Sequence, residues 1–414
     1  MTEPASIDSA GLPELPEGWS YAALEDLLEP NGISYGIVQP GNHDPAGIPI
    51  VRVKDLKAGK INRSDPLRVT SEVEEKYSRT RLRGGEVLIS LVGSVGETAV
   101  VTSDLANWNV ARAIGVLRVS DEVSPSWLRI CLNDDIAQHY MQTRLNTTVQ
   151  ATLNLRDVKK IPIIMPPEPE RQAIAAVAVA LDNKIAVNES ISTTTLELAD
   201  TKYSHAIEGL GFGPETFGSA ATVAGGGTPS TKIEEYWGGD IAWTTPTDVT
   251  TLSAPYLFDT SRTITSAGLE NCASQLYPAQ SIFMTSRATI GAFALPQTPA
   301  AVNQGFIVVL PPTEELRWWL LHEMRSRVDE MISLANGSTF LELSRKNFKA
   351  MSIRLADPQV VSQFAQEVSP LHGRAAQAAA ESRTLAALRD ALLPQLMSGK
   401  LRVRDAEKIV EDAV

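Results

Sequence analysis

Asp65, Glu74 and Lys76 are the residue types a metal-dependent nuclease uses, two carboxylates and an amine in one charged stretch. Such a trio arises by chance in most charged segments. A nuclease of this kind predicts metal-dependent turnover that is lost on changing Asp65 or Glu74. The five histidines (43, 139, 205, 322 and 372) are scattered, and none pairs with a cysteine or carboxylate at metal-ligand spacing. Gly225-Gly226-Gly227-Thr228-Pro229 is glycine-rich, but it lacks the lysine and following helix of a phosphate-binding loop. Met165-Pro166-Pro167-Glu168 is the nearest string to an adenine-methyltransferase signature and does not match it. There is no Gly-x-Ser-x-Gly elbow. A chain of 414 residues without a catalytic constellation points to recognition rather than chemistry.

Recognition of nucleic acid needs local positive charge. The net charge is −12, which opposes simple nonspecific phosphate binding. Charge acts locally, however. Between Arg52 and Arg83 there are ten Lys or Arg against five Asp or Glu. A solvated surface of mixed charge accounts for that stretch equally well. No apolar run reaches the roughly 20 residues of a bilayer span. The polar, acidic N-terminus lacks the regions of a signal peptide. Cys131 and Cys272 lie too far apart for a disulfide framework, so a cytoplasmic location is expected.

The elements that must position any binding residues occur twice, in the same order. Gly47–Asp55 and Gly239–Asp248 each read as a short strand followed by a polar turn. Leu82–Ser90 leads through Gly93-Ser94-Val95-Gly96, and Leu276–Thr285 leads through Arg287 to Gly291. Each predicts a turn, a buried strand and a glycine-bearing turn into another strand. Leu153–Ile163 and Leu343–Ile353 each predict a short helix followed by a strand. Helices are expected over Ser126–Arg144 and Glu314–Ser333. Neither half alternates strand and helix as a parallel fold would, so both are α+β.

Each half closes on a long helix. The first is expected from about Glu168 to Glu208, with Ile174, Val177, Leu181, Asn188, Ile191 and Leu198 at helical spacing. The second is expected from about Gln359 to Leu396, with a heptad-like seam from Val361 and Phe364 to Leu388 and Leu392. Prolines 166, 167, 169 and 358 sit where helix starts tolerate them. At about 1.5 Å per residue each helix would span roughly 60 Å. Two such helices fit as partners of one another, in an antiparallel coiled coil carrying two globular heads.

In this order and over essentially the whole chain, the sequence resembles the specificity subunits of type I restriction–modification systems. Leu15-Pro-Glu-Gly-Trp19 with Leu24-Glu-Asp-Leu27 resembles the opening of a target-recognition domain, and Gly225–Ser230 with Tyr236–Ile241 resembles another. Ala301-Val-Asn-Gln-Gly305 resembles the mid-domain asparagine–glutamine string. Pro167–Gln172 resembles the start of the central conserved helix, and Leu392–Leu401 the C-terminal ending. The first half departs from the pattern, with Ala111-Arg112 in place of Asn303-Gln304 and Asn31–Gly36 in place of the Gly-Gly-Thr-Pro string.

The resemblance implies two pseudo-repeated target-recognition domains joined by a long antiparallel coiled coil. The expected divisions are a mobile N-terminus (1–12), a first recognition domain (13–166), a central helix (167–210), a second recognition domain (211–357), a C-terminal helix (358–400) and a mobile acidic tail (401–414). Each head would read half of a bipartite site in double-stranded DNA, and the coiled coil would fix the unread gap. Two methyltransferase subunits would dock, bringing S-adenosylmethionine, and restriction subunits would add ATP- and Mg-dependent translocation. None of those cofactors would belong to this chain, which would be non-catalytic and cytoplasmic in a bacterium or archaeon. The expected DNA-binding residues are Arg52, Lys54, Arg79 and Arg81 in the first head. In the second they are Thr228, Ser230, Thr244, Thr247, Arg287, Asn303, Gln304 and Lys346. Three alternatives stand beside this: an interaction scaffold that binds only proteins, the nuclease above, and a DNA reader of another phage-defence methylation system.

Overall fold

The computed structural model describes residues 11–146, 150–337 and 341–413. Their contacts fall into two compact units, Met1–Asp182 with Ala387–Val414, and Asn183–Ala386.

The first unit carries the first head. Val87–Ser90 is buried at every position, as a central strand must be, and pairs antiparallel with Ile114–Val119 and Thr98–Val100. Leu28–Tyr35 completes the four-stranded sheet on the far side of Ile114–Val119. A smaller sheet sets Ile48–Val51 antiparallel to Leu67–Val69 and parallel to Asn109–Val110. The helix Pro125–Asn133 starts where Ser124 accepts from the Trp127 amide and proline occupies the first turn. Trp127 is fully buried, and its indole N–H donates to the Ile164 carbonyl at 3.1 Å.

The second unit repeats this plan. Thr222–Ala224, Phe306–Leu310, Ile282–Arg287 and Thr289–Pro296 follow the same sheet order, with Tyr256–Leu257 added at the edge. The small sheet again has one parallel pair, Trp237–Thr244 with Ala300–Val302. Thr313 caps the helix Glu314–Arg325, and buried Trp319 donates to the Arg354 carbonyl at 2.7 Å. The repeated segments form equivalent elements with two departures from expectation. The strand expected after the helix Arg345–Ala350 is reduced to a single bridge between Ser352 and Thr216, where the first head has the strand Pro162–Met165. Gly291 lies inside the strand Thr289–Pro296 rather than in the turn before it. The backbone contacts are shared nonetheless. Leu153 N donates to Leu91 O and Leu343 N to Ser286 O, while Ala111 N donates to Val51 O and Asn303 N to Thr244 O.

The long helices span Glu168–Ala206 and Pro358–Met397, and each gives one end to each unit. In the second unit Lys184 pairs with Glu381 at 3.0 Å and Lys202 with Glu367 at 2.6 Å, so the helices run antiparallel. The Ser192 hydroxyl donates to the Ala375 carbonyl at 3.1 Å, a close approach that the small Ala375 and Ala378 permit. In the first unit Ile174, Ala175 and Ala178 share a core with Leu392, Leu396 and Met397. This is the expected coiled coil.

The tail differs from expectation. Val403–Ala413 is a helix, with Ala406 fully buried and Val403 and Val410 packed on the first unit's core. Its apolar residues fall three and four apart, so acidic composition conceals an amphipathic face. Residues 1–10 of the expected mobile N-terminus lie outside the described residues.

Candidate nucleic-acid interface

In the second head a glycine-rich loop is laid along a strand end. Gly227 N donates to the Val302 carbonyl at 3.0 Å, and a methyl group on Gly226 would overlap that carbonyl oxygen. This close approach is why the string needs glycine. It delivers Thr228 to the turn that precedes Phe306–Leu310, where its hydroxyl donates to Gln304 Oε1 at 2.6 Å. Asn303 Oδ1 accepts from Gly305 N at 2.8 Å and shapes the same turn. Ser286 N donates to the Gly305 carbonyl at 2.8 Å, which brings the end of Ile282–Arg287 alongside. There Arg287 is 46% exposed and pairs with Glu342 at 3.0 Å, ahead of Ala288 at a φ of 59°. Arg345 lies over Gly225, and its neighbour Lys346 is exposed.

Thr228, Thr244, Arg287, Asn303, Gln304 and Lys346 thus converge on one end of the head. Within this group Thr244 is fully buried and its hydroxyl has no partner among the described residues, while its carbonyl holds Asn303. Thr247 lies in the short helix Pro246–Thr250, and its carbonyl accepts from Thr251. Exposed Ser230 accepts the Trp237 indole N–H on its carbonyl at 3.2 Å. Beside it the Arg262 guanidinium stacks 3.6 Å from the Trp237 ring, a cation–π pair that sequence did not single out.

The first head spends two of its four expected arginines and lysines internally. Arg52 caps Val53–Asp55, with its Nε donating to Asp55 at 2.8 Å and its Nη2 to the Asp65 carbonyl. Arg81 grips Glu74, which is fully buried and also accepts from Asn109 at 3.0 Å. The Arg81 guanidinium holds the Glu74 carboxyl below its usual range. Lys54 is exposed, 4.0 Å from Asp65, and Arg79 is exposed while its carbonyl accepts from Arg118. Glu74 is therefore committed, and Asp65 stands 87% exposed beside Lys54. Among the described residues no group of three His, Cys, Asp or Glu could hold a metal ion.

Residues 16–197 and 216–363 match the family described as Type I restriction modification DNA specificity domain. The chain belongs to that family. It is 36% identical over 149 residues to the MjaIX type I restriction enzyme specificity subunit of Methanocaldococcus jannaschii, covering 36% of this chain and 34% of that one. It is 30% identical over 164 residues to the EcoBI specificity subunit of Escherichia coli, covering 39% and 34%. The match to these two relatives thus spans 34% of each relative's length. A crystal structure of the type I restriction-modification S subunit from M. genitalium has the same fold, with a TM-score of 0.56, 15% identity and coverage of 96% and 98%.

Within this specificity-domain architecture the repeat assigns first-head counterparts to three of the second-head residues. A methyl group on Gly36 would overlap the Val110 carbonyl, as one on Gly226 would overlap Val302. Ile37 N donates to Val110 O as Gly227 N donates to Val302 O, and Leu91 N donates to Ala113 O as Ser286 N donates to Gly305 O. Val38 therefore stands where Thr228 does, Arg112 where Gln304 does, and Arg156 where Lys346 does. All three first-head residues are exposed, and sequence did not propose them as contacts. The available signal was the alignment of Ala111-Arg112 with Asn303-Gln304.

A buried polar chain ties the second head to both long helices. Tyr256 OH donates to His372 Nδ1 at 2.9 Å, His372 Nε2 to His322 Nε2 at 3.0 Å, and His322 Nδ1 to Asp200 Oδ1 at 2.7 Å. Asp200 can only accept, so with both imidazoles neutral the donation runs one way, from Tyr256 through His372 and His322 to Asp200. Burial, then the neighbouring His322, Arg325 and Arg317, holds His372 well below its usual pKa. Burial lowers His322 too, against the opposing pull of Asp200. Asp200 is itself held low by His322 and Arg325 despite its burial. Unfolding frees both imidazoles to take protons near pH 6.5. Folded stability from this pair is thus complete above about pH 6.5 and falls as pH drops through and below it. Unfolding midpoints of the second unit should decline from pH 7.5 to 5, and His372→Gln should flatten that decline. An unchanged slope in the variant would contradict the assignment.

Proposed function

We propose that this chain reads a bipartite sequence in double-stranded DNA for a type I restriction–modification complex and performs no chemistry of its own. The observation that carries this is the pair of heads with one fold and different exposed side chains at equivalent positions. A two-part reader needs that combination: shared phosphate-positioning geometry and divergent base-edge groups. The convergent cluster of Thr228, Arg287, Asn303, Gln304 and Lys346 supplies donors and acceptors for a base edge. Arg52 and Arg81 shape first-head loops, while Lys54 and Arg79 are exposed and suit phosphate contacts. The coiled coil fixes the unread gap.

Partners supply the rest. Two methyltransferase subunits dock, bringing S-adenosylmethionine and flipping out the target adenine. Restriction and translocase subunits bring ATP and Mg. The chain works in the cytoplasm, and no described helix is long and apolar enough to cross a membrane. With partners supplying positive charge, a net charge of −12 is compatible with a limited reading surface.

The test is modular. Exchanging residues 213–356 for the equivalent segment of another family member should change one half-site of the methylated motif and leave the other intact. A change in both half-sites would overturn the independent-head reading, and loss of all duplex binding in a folded complex would favour a protein-only scaffold.

A further inference from the structure

We propose that Arg112 and Gln304 form the position at which the two heads read different bases, Arg112 a guanine and Gln304 an adenine. This rests on the DNA-reading function proposed above.

The equivalence of the two residues is fixed by the backbone on every side. Their predecessors Ala111 and Asn303 donate to Val51 and Thr244, the last residues of equivalent strands. Their successors Ala113 and Gly305 accept from Leu91 and Ser286. Each residue opens a two-residue turn that leads into an inner strand of its sheet, Ile114–Val119 or Phe306–Leu310. Both are exposed, whereas the residues that begin those strands, Ile114 and Phe306, are buried. The backbone thus presents one side chain outward at the same point of each head.

The surroundings differ in a way that matches the chemistry of each side chain. Thr228 donates to Gln304 Oε1 at 2.6 Å, which orients the amide plane. One lone pair of that oxygen and both amide hydrogens remain for a ligand. An acceptor and a donor side by side are what the N6 amine and N7 of adenine require. In the first head Val38 replaces Thr228, an exposed apolar side chain with nothing to accept from a guanidinium. Arg112 has no ion-pair partner among the described residues, unlike Arg52, Arg81 and Arg287, which are held by carboxylates. Its parallel N–H donors match the O6 and N7 acceptors of guanine.

Methylation motifs of the full complex would be mapped with the wild-type chain and with R112Q, R112K and Q304R. The exchange of residues 213–356 identifies which half-site belongs to which head. R112Q should shift one position of the first-head half-site from guanine towards adenine, and Q304R one position of the other half-site from adenine towards guanine. Discrimination at each position should fall by about ten- to a hundredfold. R112K keeps the charge but not the planar pair of N–H donors, so guanine discrimination should weaken, less than in R112Q, while the salt dependence of binding is retained. Unchanged motifs from folded, active variants would overturn the proposal. So would a loss spread evenly over all positions, which would make Arg112 a phosphate contact. Absence of any two-part motif with the wild-type chain would instead sink the proposed function.

Discussion

Glu323→Ala is expected to destabilise the second unit by about 3–5 kcal/mol, because it strips the partner from buried positive charge. Glu323 is fully buried on the helix Glu314–Arg325. Its carboxylate accepts from Arg327 Nη1 at 3.0 Å, from Arg354 Nε at 3.0 Å and from the Arg354 backbone N–H at 3.1 Å. The Tyr203 hydroxyl also donates to it, so the first long helix joins the same cluster. Burial, together with the carboxylate's charge, pushes the Tyr203 phenol pKa up and keeps it a donor. Arg327 retains Glu330 after the change, but Arg354 and Tyr203 lose their carboxylate. Denaturant unfolding of the full chain would measure the loss. Glu323→Gln keeps acceptor capacity and should cost less than the alanine variant. A loss below about 1 kcal/mol for alanine, the range of exposed ion pairs, would contradict the cluster's role.

Trp127→Ala and Trp319→Ala are expected to cost about 3–5 kcal/mol each. Both indoles are fully buried and each donates across to an equivalent carbonyl, Ile164 or Arg354. Removal leaves a cavity in a helix-on-sheet core and an unpaired carbonyl. Because the two residues belong to different units, each variant should lower the unfolding of its own unit. Trp→Phe at either site retains most of the volume and should lose much less. Equal effects of Ala and Phe would show that the hydrogen bond, not the volume, dominates.

The repeat was legible because spacing alone carries it. Gly47–Asp55 and Gly239–Asp248 end on Asp55 and Asp248, and each carboxylate accepts from the backbone N–H of its helix cap, Arg52 or Thr245. That local logic is written in consecutive residues. What Arg52 and Arg81 do with their side chains was less legible, since an arginine's letter does not say whether a carboxylate claims it. Asp55 lies three residues from Arg52, which is a readable signal, while Glu74 meets Arg81 only through a folded loop. The histidine chain was invisible for the same reason. Asp200, His322 and His372 are separated by 122 and 50 residues, so only the tertiary fold assembles them. The same holds for position 131, where the thiol of Cys131 points to the Ile164 carbonyl at the place Glu323 occupies against Arg354. One fold tolerates a neutral thiol there in one head and a paired carboxylate in the other.

The most direct test of the central claim is adenine methylation mapped genome-wide in the native host, with this gene intact and deleted. The proposed function predicts that deletion removes one two-part motif, whose halves and gap are then read directly. An unchanged methylome, with the methyltransferase subunit confirmed as expressed, would contradict it.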